Sequence, residues 1–232
     1  MNQHQAPSAR TRVRRLPARA RYDAATRDAI IDSAWICHVA FRWEGSVHLL
    51  ATSHWREGDH LYVHGAKASR MLEALRVDEA CVCISHVDGL VFARSAFHHS
   101  MNYRSVVVYG RFEEIGDAAE KTRVLERFID KFAPGRWAEL RPVNAKELAA
   151  TAVLRLSLHE ASAKIRDAGV KDDEQDLAWP VWAGVLPLAL TAGEPVTDAQ
   201  SVVGRPPAYL PVDGRPATAR RISEAGSRSG GR

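Results

Sequence analysis

The sequence lacks the features of a membrane-spanning, zinc-binding or disulfide-stabilised protein. It has no apolar run of about 18 residues, the length that a transmembrane helix needs. Its three cysteines, Cys37, Cys81 and Cys83, do not have the spacing of a zinc site or a redox motif. Cys81 and Cys83 are two residues apart in the apolar run ACVCISHV, so a strand would place both on one face. We therefore predict free core thiols and a cytoplasmic protein with no membrane partner.

Metal-binding and hydrolase motifs are also missing, although the chain has ten histidines. His98 and His99 are adjacent and would point apart on any regular element, while His64, His86 and His159 fall on different predicted strands. There is no HExxH motif, and no serine lies in a nucleophile-elbow pattern. We therefore predict neither a metal site nor a Ser–His–Asp hydrolase.

Positive charge is concentrated at the two ends of the chain. Residues 1–21 contain six arginines and no acid, and residues 204–232 contain six arginines against two acids. The whole chain has a net charge of only +4, so the part between the ends is acidic. This distribution disfavours a folded surface specific for nucleic acid. We predict an Arg-rich disordered lead-in over residues 1–21, one domain over residues 22–190, and a linker with a disordered tail over residues 191–232.

The apolar pattern predicts mainly strands joined by short turns. Ile36–Trp43 and Val47–Trp55 alternate as half-buried strands around a Glu-Gly-Ser turn, and Asp88-Gly89 is the strongest two-residue hairpin signal. Asp117 and Glu120 form a capping box that opens an amphipathic helix. A doubly wound fold would need regular strand–helix alternation and a Gly-rich phosphate loop, and neither is present. The predicted fold is mainly β (α+β), an antiparallel barrel with peripheral helices.

The stretch LYVHGAKASRMLEAL, from Leu61 to Leu75, predicts a strand followed by a helix. Lys67, Ser69 and Arg70 lie at the junction between them. A helix start offers unpaired N–H groups and a partial positive charge, which suit a phosphate group. Lysine, serine and arginine add a point charge, a hydroxyl donor and a two-pronged guanidinium. An ordinary capped helix with two solvated cations is the alternative.

Trp182, in the segment PVWAGVLP, has two interpretations from its surroundings in the sequence. It is either a core aromatic residue or a flat surface for a planar ligand. Arg104 and Ser105, which enter a predicted long strand, carry no signal of their own.

Three segments together resemble the pyridoxamine 5′-phosphate oxidase-like split-barrel flavoproteins, and most closely the subgroup that includes the 5-nitroimidazole-resistance-type proteins. They are LYVHGAKASRMLEAL, DGLVFARSAFHHSMNYRSVVVYGRFEEI and PVWAGVLP. The resemblance covers about residues 12–190. It implies a six-stranded antiparallel split β-barrel, present as a homodimer with FMN held between the two subunits.

The resemblance also implies which residues contact the cofactor. Ser69 and Arg70 match the pair that contacts the phosphate, with Lys67 beside them, and the strand segment from Ala51 to His54 matches the one that follows the flavin. Arg104 and Ser105 match an arginine and a polar residue that reaches the flavin from the partner subunit, although Ser105 is shorter than the usual amide. The predicted cofactor-binding residues are Thr52, Ser53, His54, His64, Lys67, Ser69, Arg70, Arg104, Ser105 and Trp182.

One departure from the family pattern decides the predicted reaction. The oxidases end in an Arg/His-containing segment that holds the vitamin phosphate, whereas this chain has WAGVLPLAL there. We therefore predict an FMN-dependent oxidoreductase that passes hydride from NADH or NADPH to a small acceptor such as a quinone or nitro compound, with His64 as proton donor. The alternatives are a non-catalytic flavin-binding or ligand-sensing protein and a haem-binding relative on the same barrel.

Overall fold

The computed structural model describes residues 5–210 of the chain. The chain divides into two units, Met1–Leu188 and Ala189–Arg232. All helices and strands of the described residues belong to the first unit. Within residues 5–210, no helix combines the length and the apolar character that are needed to cross a bilayer.

The strands of the first unit join into one antiparallel sheet, and four α-helices pack against it. The strands are β1 (Ala20–Arg21), β2 (Ile36–Trp43), β3 (Ser46–Ser53), β4 (Trp55–Glu57), β5 (His60–Ala66), β6 (Glu79–Phe92), β7 (Ser100–Glu114), β8 (Thr151–Ser157), β9 (Ala161–Arg166) and β10 (Gly184–Pro187). The helices are α1 (Ala24–Ser33), α2 (Arg70–Val77), α3 (Ala118–Phe132) and α4 (Ala145–Ala150).

The order of the strands shows that the barrel is split. The main path runs β3-β2-β6-β7-β8-β5-β4, with β9 and β10 attached to β7 and β6, and β1 attached to β9. Strands β3 and β4 stand at the two ends of this path and are joined by His54 alone, yet they are not paired. The described sheet is therefore not closed, which confirms the predicted antiparallel split barrel. Ten strands replace the predicted six, because several short strands extend the edges.

The main core fills the inside of the curved sheet. On β2 the alternating residues Cys37, Val39 and Phe41 point inward, and Ile31 of α1 and Leu72 of α2 pack against the same core. A second cluster lies between the opposite face of β5 and helix α3. It comprises Trp55, Tyr62, Ile115, Val124 and Val153, with Leu125 and Phe128 packed against it.

The prediction of a hairpin at Asp88-Gly89 is wrong. Strand β6 continues through both residues, and its pairing with β7 shifts register between Val87 and Gly89, which makes Asp88 the extra residue of a β-bulge. The bulge directs the Asp88 carboxylate to Arg104, whose Nε and Nη2 donate to it at 2.9 and 2.8 Å. Glycine is needed at position 89 because a Cβ there would lie 3.1 Å from the Leu186 carbonyl oxygen of β10.

The predicted disorder of the lead-in is wrong for residues 5–21, while residues 1–4 lie outside the described chain. Ser8 donates a 2.6 Å hydrogen bond to Glu160, and Thr11 is buried. Arg10 pairs with Glu79 and lies over the ring of Tyr109. Arginine-rich composition predicts disorder, but these side chains find specific partners far along the chain and pack their stems on the sheet. Of the predicted disordered tail, residues 211–232 also lie outside the described chain.

Candidate cofactor-binding site

The junction between β5 and α2 presents polar groups that are free to bind an anion. Ser69 is the N-cap residue of α2, and its side chain makes no capping hydrogen bond. Lys67 and Arg70 are exposed, and neither side chain forms an ion pair or hydrogen bond with any residue in the described part of the chain. Arg76 of the same helix is paired instead, with its Nε 2.7 Å from Glu114. The helix start thus combines a free hydroxyl, two free cations and unpaired N–H groups.

Strand β3 reaches the split of the barrel next to this junction. The chain leaves β3 at Ser53 and enters β4 at Trp55, and β4 pairs with β5, so the end of β3 lies against β5. Thr52 and Ser53 are half-buried there. The structure thus brings the end of β3 to the strand that carries His64 and leads into α2.

His54 occupies the interior at the point where β3 ends. Its side chain is fully buried and its Nε2 lies 3.0 Å from the Ile31 carbonyl oxygen. The Lys131 ammonium donates a 2.8 Å hydrogen bond to the His54 carbonyl oxygen. Burial, and then the charge of Lys131, lower the pKa of His54 to about 4, and burial lowers the pKa of Lys131 to about 8. The side chain of His54 therefore fixes the joint between the two strands and has no exposed surface to offer a cofactor.

His64 is half-buried beneath α3. Its ring centroid lies 4.4 Å from that of Phe128 and 5.7 Å from that of Trp55. Its buried Nδ1 has no hydrogen-bond partner among the described residues, and burial lowers the pKa of the imidazole. His64 is thus neutral at physiological pH and lies on the strand that borders the split. Its role as a proton donor stays a prediction.

Arg104 and Ser105 lie on β7, which β2 and β6 separate from β3. Arg104 is held by Asp88, and its Nη1 lies 3.5 Å from Ser33 Oγ. Ser105 Oγ lies 3.4 Å from the Lys164 carbonyl oxygen, on the opposite face of the strand. Within one chain, neither residue joins the junction at α2. Sequence reasoning missed Asp88 as the partner of Arg104, because the Asp-Gly pair has the signature of a turn.

Trp182 is not a core residue, since 66% of it is exposed. Its ring packs over Gly184 at the start of β10 and lies 5.7 Å, centroid to centroid, from Phe92. The ring of His99 also contacts Phe92, with their centroids 5.9 Å apart. Of the two interpretations of Trp182, the one that leaves a flat aromatic surface open fits its exposure. Phe92 and His99 both lie in the segment DGLVFARSAFHHSMNYRSVVVYGRFEEI, but the sequence assigns neither of them a role, because the pairing of β10 with β6 that brings Trp182 to Phe92 is a long-range contact.

One face of the sheet, which we call the outer face, carries exposed apolar side chains. It is formed by the residues of β3, β2, β6 and β7 that alternate with the core positions, including the rows Leu49–Ala40–Cys81–Tyr109 and Ala51–His38–Cys83–Val107. Leu49 is 61% exposed, and Ile36 and Val47 are also exposed. All three cysteines are free thiols, but only Cys37 is in the core. An apolar sheet face of this extent is typical of an interaction surface.

His98, Asp173 and Asp176 come close enough to share a cation. Their potential ligand atoms lie within 4.8 Å of one another. All three are at least partly exposed, and Asp173 and Asp176 belong to the acidic loop that follows β9. Exposed acidic groups often cluster without an ion, so the prediction that there is no metal site remains a prediction.

An open antiparallel sheet of this order, with helices packed against it, defines a split-barrel protein. A model of the pyridoxamine 5′-phosphate oxidase family matches residues 23–165 of this chain. The chain therefore belongs to the pyridoxamine 5′-phosphate oxidase family, as the resemblance predicts. A comparison with curated proteins finds no match.

Solved structures similar to this chain include a flavocytochrome and a protein described as binding FAD and heme. The flavocytochrome Anf3 from Azotobacter vinelandii is 44% identical, with a TM-score of 0.83 over 87% of this chain and 94% of that one. The FAD and heme binding protein from Mycobacterium smegmatis is 36% identical, with a TM-score of 0.77 over 83% of this chain and 94% of that one. A candidate 5-nitroimidazole antibiotic resistance protein from Bacteroides thetaiotaomicron shares the fold at 22% identity, with a TM-score of 0.53 over 62% and 84%.

Proposed function

We propose that this protein is a flavin-dependent oxidoreductase that holds FMN, or the FMN half of FAD, at the split of its barrel. The observation that carries the proposal is the set of unpaired donors at the start of α2. Lys67 and Arg70 are exposed and Ser69 is half-buried where β5 leads into α2, and none of the three side chains has a partner among the described residues. A phosphate would satisfy them together with the N–H groups of the helix start.

The ring system of the flavin extends from this phosphate site along the end of β3. Thr52 and Ser53 supply polar side chains and backbone groups on that strand, next to His64 on β5. When bound, the flavin supplies hydride chemistry, while the protein sets its position and its electrostatic surroundings. The lowered pKa of His64 leaves its imidazole neutral. A neutral imidazole carries hydrogen on one nitrogen only, so His64 can donate a proton only if that nitrogen faces the flavin ring. The donor of hydride is NADH or NADPH and the acceptor is a small molecule such as a quinone.

The cofactor cleft is completed by a second copy of the chain. The exposed apolar outer face of the sheet provides a self-complementary surface of the kind that a two-fold dimer buries. Arg104 and Ser105, on β7, lie too many strands away to reach the flavin of their own chain. In a dimer, Ser105 on the outer face approaches the flavin of the partner, while Arg104 on the opposite face is held by Asp88 at the same end of β7.

Arg70 provides the test of the phosphate site. Replacing Arg70 with alanine removes charge-assisted hydrogen bonds that are worth about 1.5–3 kcal/mol, so FMN should bind roughly tenfold to a hundredfold more weakly. Arg70→Lys should recover part of this loss, since an ammonium keeps the charge without the two-pronged geometry. The measurement is a fluorescence titration of apo-protein with FMN.

Arg76→Ala is the matched control, because Arg76 lies on the same helix and is already paired with Glu114. It should leave the affinity for FMN unchanged. Riboflavin, which has no phosphate, should bind weakly to the wild type, and its affinity for Arg70→Ala should be the same as for the wild type. If Arg70→Ala and the wild type bind FMN equally, the phosphate is held elsewhere.

Haem binding, in addition to flavin, is a second candidate function. It is supported by the 44% and 36% identities to a flavocytochrome and to an FAD and heme binding protein. It is also supported within this chain by the arrangement of His99, whose ring is oriented by a backbone carbonyl and lies against Phe92, which also contacts the exposed Trp182. An absorption spectrum of the purified protein tests it, since haem adds a Soret band to the flavin bands.

A further inference from the structure

We infer that His99 supplies the axial nitrogen ligand to a haem that rests on the aromatic cluster at the end of β6. This inference rests on the second candidate function, haem binding.

The hydrogen bond of His99 determines which of its ring nitrogens is free. Nδ1 lies 3.0 Å from the carbonyl oxygen of Ser95. A carbonyl oxygen can only accept, so Nδ1 carries the proton and Nε2 carries the lone pair. Nε2 has no hydrogen-bond partner among residues 5–210, and the side chain is exposed. Metal-bound histidines generally have this arrangement, since the second nitrogen donates to a carbonyl or carboxylate that fixes the ring.

The surroundings of His99 suit a flat apolar macrocycle. Phe92 contacts both His99 and Trp182, with centroid distances of 5.9 and 5.7 Å. Phe97, two residues before His99, is 97% exposed, and Trp182 is 66% exposed. Trp182 reaches His99 through the half-buried Phe92, so the oriented imidazole and an exposed aromatic ring border one cluster. Exposed aromatic surface is costly in water, and a porphyrin bound by Nε2 would cover it.

Four other histidines of the described chain are less suited to this role. His54 is fully buried, and the Nε2 of His86 lies 3.2 Å from both the Ile30 carbonyl oxygen and Ser33 Oγ. His64 is half-buried beneath α3, with its Nδ1 buried and without a partner among the described residues. His98 faces the carboxylates of Asp172 and Asp173, with ring nitrogens 3.9 Å from each. His99 thus combines an exposed lone pair, a fixed orientation and aromatic neighbours.

The test compares full-length wild type, His99→Ala and His98→Ala, each produced with a haem supply and purified with its cofactors. His99→Ala should have a haem content per chain at least tenfold below that of the wild type, with a correspondingly weaker Soret band. Its flavin content and circular dichroism should stay as in the wild type. His98→Ala, the adjacent control, should keep both cofactors. In His99→Gly, added imidazole should restore the wild-type Soret position and the ferric electron paramagnetic resonance spectrum.

Two results would overturn the inference, and they are distinguishable from each other. If His99→Ala keeps the haem content and the ferric spectrum of the wild type, another residue is the ligand and haem binding itself stands. If the wild type takes up flavin but no haem, the second candidate function fails together with this inference, and the flavin site is unaffected.

Discussion

Replacing Leu49 with aspartate is expected to separate the proposed dimer and release its flavin. Leu49 lies on the outer face of β3, beside Ala40 and Cys81, and is among its most exposed apolar residues. A two-fold interface would contain two such carboxylates, one from each chain, and both would be buried without a partner. A cost of several kcal/mol is roughly a hundredfold or more in dimer affinity. Light scattering and the flavin absorbance of the eluted protein measure the two effects.

Val77→Asp is the control for this experiment. Val77 is also exposed and apolar, but it ends helix α2 and does not belong to the outer face. The control should remain dimeric with its flavin bound. A Leu49→Asp protein that is still a dimer and still holds flavin would show that the outer face is not the interface.

His54 is expected to make the protein lose stability as the pH falls from about 6.5 to about 4. The pKa of its imidazole is about 4 in the folded protein and 6.5 as the ordinary value. Between these pH values the unfolded chain binds the proton and the folded chain does not, so acid favours unfolding. A difference of this size corresponds to about 3 kcal/mol in the free energy of unfolding. The stability contributed by neutral His54 is fully present above pH 6.5.

Denaturant unfolding of the wild type and His54→Gln, measured near neutral pH and near pH 4, tests this expectation. Glutamine does not titrate, so the variant should lose much less stability on acidification, whatever its stability at neutral pH. His159→Gln is the control, since His159 is exposed and its replacement should leave the acid dependence as in the wild type. If the wild type and His54→Gln lose the same stability on acidification, His54 takes up its proton equally in the folded and the unfolded protein, and the expectation is wrong.

The fold was predictable where local patterns agree with the long-range structure. The alternation of β2 and the start of α2 at Arg70, with Ser69 as N-cap, follow from apolar periodicity and from helix-start chemistry. The hairpin prediction at Asp88-Gly89 failed because a bulge and a turn need the same residues. What selects the bulge is an ion pair with Arg104 and the approach of β10, both formed by distant parts of the chain.

The candidate site was predictable only in part, for a similar reason. Lys67, Ser69 and Arg70 are neighbours in the sequence, so one motif predicts them together. His54 has the position of a flavin-strand residue, but its side chain is buried with Nε2 against the Ile31 carbonyl oxygen of α1, a long-range contact that no local pattern shows. The orientation of His99 depends on the carbonyl of Ser95 and on Phe92 of β6.

The absorption spectrum of the purified full-length protein, followed by identification of the released cofactor, tests the central claim most directly. We expect flavin bands that correspond to one flavin per chain, release of FMN or FAD on denaturation, and loss of the bands when NADH or NADPH is added without oxygen. A protein that remains colourless after incubation with excess FMN and excess FAD, while folded by circular dichroism, would contradict the account.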